Sequence, residues 1–389
     1  NQNRYALSVK ARIAKAFEKK KYVLVISLDF GAAFDLVDKE KLKRRMNLMN
    51  YPDKLVNVVH DWLSERKAFV KVNEECSGTF NVDYGCVQGS VTGPTLFSIL
   101  VSQLGLVYSD MIRYADDAYY FFEDDNWEAI KNKAEETMPK IVEWLKKSGM
   151  LINIAKTEAC IFENKHTETK TINVLGEEIQ TVKNIKILGI NFSSNLNWTA
   201  HIQKICNSCK KDSHAIRLLS QYLDVDELMQ IARAKVLSKM WYCAPVWLSE
   251  NVLNQKEISL LNSSVGNLLR IVVKDYEKAF KREELHSLLK IPSSIQWGSY
   301  MAVSLANKIC VNELPQDLFL DFLSHATTSK ECTRSNLTRF FPSNIKKIGL
   351  NIFVNRISDI LKDKALDITL KTCSKMQLKK HFINFSSYF

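Results

Sequence analysis

The sequence predicts an α+β domain followed by helical segments, and three observations carry that prediction. Apolar, β-branched runs alternate with helical periodicity over the first 190 residues. Beyond about Thr199 the pattern turns helical throughout, with basic faces. Gly and Pro number only 12 and 7 in 389 residues, which favours regular elements joined by short connections. With 46% hydrophobic and 25% charged residues this is ordinary folded composition, long enough for two or three domains.

Taken in order, residues 5–20 read as a helix with Leu7, Ile13, Ala14 and Phe17 on one side and Lys19, Lys20 and Lys21 at its end. Tyr22 to Phe30 is an unbroken apolar run closing on Asp29, the pattern of a strand buried on both faces. Asp53, after Pro52, starts a second helix carrying Leu55, Val58, Val59, Trp62 and Leu63. Val70 to Tyr84 holds one or two short strands, and the turn at Gly85 leads into a helix after Pro94. Met111 to Glu123 reads as a hairpin with Asp116 and Asp117 at its tight turn. Trp127 to Ser148 reads as an amphipathic helix closed by Gly149. Short strands around Leu151–Phe162, a hairpin around Gly176 and a strand at Ile185–Ile190 complete the α+β part.

The net charge of +11 is unevenly placed. Residues 1–200 carry 27 basic and 26 acidic side chains, and residues 201–389 carry 27 and 17. A basic C-terminal half suits a polyanion such as nucleic acid, although a solvated lysine-rich surface explains the same numbers. The apolar runs fall short of a membrane span, and no basic-then-apolar leader opens the chain. Nine scattered Cys point to reduced thiols in an intracellular protein. Cys206, Cys209 and His214 invite a zinc reading but lack a fourth ligand at finger-like spacing.

Chemistry concentrates at Tyr114-Ala115-Asp116-Asp117, set between Met111-Ile112 and the aromatic run Tyr119–Phe122. Two adjacent carboxylates in an apolar strand are costly to bury and repel each other, and a divalent cation is the cheapest means of keeping both ionised. Asp29 offers a third carboxylate from the end of the apolar run; alone it reads equally as a cap or a turn residue. Hard oxygen ligands without neighbouring His or Cys suit magnesium rather than zinc. A pair of such ions, about 4 Å apart, suits in-line phosphoryl transfer, hence nucleotidyl transfer or its reverse, hydrolysis.

Around these acids the segment Leu28-Asp29-Phe30-Gly31-Ala32-Ala33-Phe34-Asp35-Leu36-Val37-Asp38 closely resembles motif A of the reverse transcriptases encoded by non-LTR (LINE-type) retrotransposons. Gly85-Cys86-Val87-Gln88-Gly89-Ser90-Val91-Thr92-Gly93-Pro94 resembles their motif B, and Tyr114–Asp117 their motif C. Gly149–Asn153 with Lys156-Thr157 resembles motif D, and Ile187-Leu188-Gly189 motif E. Five elements in order over about 170 residues are far more specific than any one of them. Asn197–Ile202 and Cys243–Trp247 resemble segments that follow the polymerase core in jockey-like elements.

The resemblance implies an RNA-directed DNA polymerase that extends a DNA primer or nicked target on an RNA template with dNTPs. It implies a right-hand palm with residual fingers over residues 1–190, a helical thumb over 191–290 and a helical C-terminal extension over 291–389. Asp29, Asp116 and Asp117 would be the catalytic carboxylates. They would hold two Mg2+ ions (Mn2+ as a substitute), helped by the Phe30 carbonyl. Phe34 would gate against a ribose 2′-hydroxyl, and Gln88 and Gly89 would touch the nascent base pair and template. Lys156 would meet the triphosphate, and Leu188 and Gly189 would grip the primer. Lys204, Lys210, Lys211, Arg217, Arg233, Lys235 and Lys239 would track phosphates, while Trp241, Tyr242 and Trp247 either stack on bases or fill a helix core. The family's chromosomal substrate implies nuclear as well as cytoplasmic residence.

Plainer readings stand beside these: Phe34 and Leu188 as core residues, Gly89 as a turn glycine, Lys156 as a surface lysine. Val87 stands where the family commonly has Pro, and Thr95 where it has Leu. A non-catalytic RNA-binding palm scaffold and a ribonucleotide polymerase on a similar palm are the competing functions, the latter opposed by Phe34.

Overall fold

The computed structural model describes residues 2–163 and 169–312, in two compact units. One unit runs from Lys21 to Ile185. The other joins residues 1–20 to the chain from Lys186 onward, so the N-terminal helix groups with the helical half rather than with the expected 1–190 segment. Of the expected extension over 291–389, everything beyond Asn312 lies outside the described residues.

The first unit is built on β1 (Tyr22–Gly31), the apolar run whose Val23 to Ile26 are fully buried. After it come α2 (Lys39–Leu48), α3 (Asp53–Leu63) and the two small hairpins β2 (Arg66–Ala68) with β5 (Phe80–Val82) and β3 (Lys71–Val72) with β4 (Glu75–Cys76). Next are α4 (Gly93–Leu100), α5 (Leu104–Val107), β6 (Met111–Tyr114), β7 (Asp117–Asp124) and α6 (Trp127–Lys147). β8 (Leu151–Phe162) and the hairpin β9 (Thr171–Val174) with β10 (Glu177–Gln180) close the unit. β6, β7, β1 and β8 form one antiparallel sheet in that order.

Side chains alternate across β1, so Leu24, Ile26, Leu28 and Phe30 face one side together with Tyr120 and Phe122 of β7. Ile130, Ala134, Met138, Ile141 and Leu145 of α6, at helical spacing, pack into the same core. Asn126 caps α6 by accepting from the Ala129 N–H at 2.9 Å, and Gly149 (φ +85°) ends it.

Four elements differ from expectation. α2 is absent from the sequence reading because its run Lys-Glu-Lys-Leu-Lys-Arg-Arg-Met shows only Leu42 and Met46 to a core; Asp38, accepting from Glu40 and Lys41, starts it. The 70–84 stretch holds three short strands, β3, β4 and β5, and β5 pairs with β2 just before it. Leu151–Phe162 is one strand, not several, and it carries a bulge. The single strand expected at Ile185–Ile190 is a hairpin, β11 (Asn184–Ile187) with β12 (Ile190–Ser193).

The second unit begins with α1 (Gln2–Glu18), which is buried at ten of its positions, including Lys10. After β12 it continues through α7 (Thr199–Leu219), α8 (Val225–Ala232), α9 (Ser238–Met240), α10 (Ala244–Trp247), α11 (Gln255–Val272), α12 (Arg282–Leu288) and α13 (Ser294–Asn312). Asp224 with Glu227, and Asn254 with Glu257, form reciprocal capping boxes at α8 and α11. Among the described residues no helix is long and apolar enough to cross a membrane.

Candidate active site

The β1–β7 register runs from Tyr22 opposite Asp124 to Leu28 opposite Ala118. Asp29 follows Leu28 on β1 and Asp117 precedes Ala118 on β7, so both stand at the same end of this pairing. β6 and β7 are joined by only Ala115 and Asp116, with Tyr114 opposite Asp117. The turn therefore carries Asp116 to the same end of the sheet where β1 delivers Asp29. Ala115 holds φ +53°, a left-handed position that costs a non-glycine residue on the order of 1 kcal/mol. Strain of this kind is kept where the surrounding ladder over-determines it.

Burial corrects one step of the sequence reasoning. Asp116 and Asp117 are exposed, and the Asp29 side chain is 42% exposed, because the sheet end projects into solvent while Ala118 to Phe122 sink into the core. Their exposure removes the cost of burying these carboxylates, so burial does not demand a cation. Nor are their side chains drawn into one cluster: among the described residues no group of three or more His, Cys, Asp or Glu is gathered for a metal ion. What fits a hard divalent ion is the donor set, three carboxylates on neighbouring backbone positions next to the Phe30 carbonyl.

Lys156 reaches this end of the sheet through the bulge in β8. Ser27 pairs Glu158 but Asp29 pairs Asn153, so β8 spends three more residues than β1 over the same span. The Thr157 hydroxyl closes the bulge on the Asn153 carbonyl at 3.2 Å. Lys156, thrown outward, sets its Nζ 3.7 Å from Asp29 Oδ2. Both partners are largely solvated, so the pair contributes little to stability.

The turn after β1 is tied to the loop before α4. The Gly85 N–H donates to Val37 O and the Cys86 N–H to Phe34 O, each at 2.8 Å. A Cβ on Gly85, at φ +92°, would stand 2.9 Å from the Asp35 carbonyl oxygen, so glycine is required by both conformation and space. Val87–Ser90 then forms a tight turn, with the Ser90 N–H on Val87 O and Gly89 at φ +81° in the position that type II turns reserve for glycine. Nothing lies within 4 Å of a Cβ built on Gly89. Gln88 donates from Nε2 to Asp35 Oδ1 at 2.6 Å, a partner quoted in the sequence motif but not singled out there. Phe34 is half-buried, its ring 5.0 Å from that of Phe97.

In the second unit, Leu188 (φ +49°) and Gly189 (φ +81°) form the two-residue loop between β11 and β12, the backbone of a type I′ turn. Cys206 and Cys209 are buried in the helical core with their thiol pKa values raised by burial, Cys209 to about 12. Trp241 and Trp247 are buried, which settles them as core rather than stacking surfaces. Lys210, Arg217 and Lys278 line a groove of about 520 Å³ between α7 and α11; among the described residues none has an ion pair, while Arg270 there is matched by Asp275.

Residues 2–192 match the family model described as reverse transcriptase (RNA-dependent DNA polymerase). The chain is 28% identical over 200 residues to the RNA-directed DNA polymerase of the mobile element jockey of Drosophila melanogaster, covering 49% of this chain and 22% of that one. It is 26% identical over 189 residues to a putative 115 kDa protein in the type-1 retrotransposable element R1DM of the same fly, covering 47% and 18%. The probable RNA-directed DNA polymerase of transposon BS is 25% identical over 247 residues, covering 61% and 27%. The chain thus spans about a quarter or less of the length of these relatives. Among solved structures, apo telomerase from Candida tropicalis aligns with a TM-score of 0.39 at 11% identity, over 81% of this chain and 55% of that one. Residues 2–192, with their Asp29 motif, Gln88-Gly89 turn and Asp116-Asp117 hairpin on an antiparallel sheet, thus match the reverse transcriptase family model and are similar to the RNA-directed DNA polymerases of non-LTR retrotransposons.

Proposed function

We propose that this domain is an RNA-directed DNA polymerase that extends a DNA primer or nicked target on an RNA template, using dNTPs. The observation that carries the reading is the arrival of Asp29 and the Asp116-Asp117 turn at one end of the sheet, inside the family-matched segment. Asp29 and Asp116, with the Phe30 carbonyl, would hold Mg2+ or Mn2+, and Asp117 would orient them. Two such ions, when bound, activate the primer 3′-hydroxyl and neutralise the departing pyrophosphate.

The chain's own groups supply the rest. Phe34, seated on Phe97, offers a rigid ring against the sugar and so selects deoxynucleotides. Gln88, with one amide N–H held by Asp35, presents its remaining polar atoms at the tip of a tight turn, where Gly89 leaves room for a base or backbone. Lys156 carries a positive charge that can pass from Asp29 to a triphosphate or to leaving pyrophosphate. The Leu188-Gly189 turn would grip the primer, and the groove of Lys210, Arg217 and Lys278 would follow phosphates, as a thumb over residues 191–290 would do.

The open arrangement of the carboxylates favours, as a second reading, a palm that binds RNA without catalysis. One assay separates the readings: purified protein, Mg2+, a primed RNA template, and either dNTPs or NTPs. Extension with dNTPs that is lost in Asp29→Ala and in Asp116→Ala, both still folded, supports the polymerase. Extension retained by either variant refutes the assignment, and RNA binding without any extension establishes the scaffold.

A further inference from the structure

Tyr242 lies beyond residue 192, where the family match ends, in the segment Trp241-Tyr242-Cys243-Ala244-Pro245-Val246-Trp247. Unlike its two tryptophan neighbours it is half-buried, and it faces the tip of the β11–β12 hairpin within the same compact unit. Its Oη lies 2.9 Å from the Leu188 carbonyl oxygen and 2.5 Å from the Gln2 side-chain amide. The hydroxyl is the donor to both the Gln2 side-chain oxygen and the Leu188 carbonyl, so its one proton is shared between two acceptors. Its ring edge also fills the space above Gly189, where a Cβ would stand 3.2 Å from Tyr242 Cε1. Tyr242 thus holds both residues of the turn, one by a hydrogen bond and one by contact.

Tyr242 is itself anchored. The Trp247 indole N–H donates to the Tyr242 carbonyl at 3.0 Å. Cys243, at φ +52°, bends the chain immediately after it. Lys10 of α1 is buried and donates to the Val246 carbonyl at 2.6 Å.

We infer that Tyr242 is a positioning residue of the polymerase, fixing the Leu188-Gly189 turn at the height and tilt at which it receives the terminal nucleotide of a primer strand. The nucleotide part of this inference rests on the proposed function; the clamp does not. Tyr242→Phe keeps the ring and removes the hydroxyl's bonds to Leu188 and Gln2. Amide hydrogen exchange at Gly189 and Ile190 should speed up about fivefold, the equivalent of one neutral hydrogen bond, with global unfolding unchanged. In primer extension the KM for primed template should rise by a similar factor while the KM for dNTP stays put. Tyr300→Phe, which removes a buried phenol bonded to Ser304 in the same unit, should move neither quantity. Unchanged exchange at the turn overturns the clamp, whether or not the protein polymerises. Faster exchange with unaltered extension kinetics overturns the positioning role. Wild-type protein that extends no primer refutes the polymerase reading and the primer assignment with it, while the exchange data still judge the clamp.

Discussion

Acidification from pH 7 to pH 4 should cost the second unit about 3 kcal/mol of folding stability through a single side chain, His201. The imidazole is 3% exposed, between the rings of Trp198 at 5.9 Å and Trp247 at 5.0 Å. Its Nδ1 accepts from the Asn191 N–H at 3.3 Å, so the neutral ring carries its proton on Nε2, which has no hydrogen-bond partner. Burial first, and the charge of Lys204 second, push its pKa from 6.5 down to about 4. Between those values the unfolded chain binds a proton that the fold refuses. Stability is therefore complete above pH 6.5 and lost as the pH falls towards 4, by about 2 kcal/mol at pH 5 and about 3 kcal/mol at pH 4.

The assay is denaturant unfolding of wild type and His201→Gln at pH 7, 5 and 4. Subtracting the variant isolates the contribution of this one side chain. The difference between the two proteins should shrink by these amounts as the pH falls. A difference that stays flat from pH 7 to 4 would show that the imidazole titrates normally and that its burial is not what the contacts imply. Protonation also strips the acceptor from Asn191, so the β11–β12 hairpin should loosen over the same pH interval.

Three further outcomes follow from the geometry of the first unit and the groove. Phe34→Ala should let the polymerase incorporate NTPs at a rate closer to that for dNTPs; a variant as selective as wild type would return Phe34 to the core. Gly85→Ala should destabilise by roughly 3 kcal/mol, adding positive-φ strain to a backbone clash with Asp35, and thermal melting that matches wild type would contradict the close approach. Changing Lys210, Arg217 and Lys278 to Gln together should flatten the dependence of log Kd for single-stranded RNA on log salt by about 2, at about 0.7 per lost phosphate contact. An unaltered slope would place the polyanion elsewhere.

Much of the fold was legible because it is written in local periodicity. The fully apolar run of β1 can only be a strand buried on both faces, and the spacing of Ile130, Ala134, Met138, Ile141 and Leu145 can only be one side of a helix. α2 escaped because its charged face outnumbers its two core residues, and the β11–β12 hairpin escaped because Leu188 is an unusual occupant of a left-handed turn position. The acids were found for a partly mistaken reason: an apolar setting in sequence suggested buried carboxylates, whereas the sheet ends before them and leaves them in water.

Residue order alone therefore determined the identities of the chemical groups, most of the strand and helix runs and the family resemblance, since each depends on neighbours a few positions apart. Only the tertiary structure decided which of those groups meet. The β1–β7 register that brings Asp29 and Asp117 to one end of the sheet, the bulge that swings Lys156 onto Asp29 and the reach of Tyr242 back to Leu188 join residues separated by 88, 127 and 54 positions. Such pairings are fixed by ladder registry and core packing summed over whole elements, and no short window of sequence contains those sums.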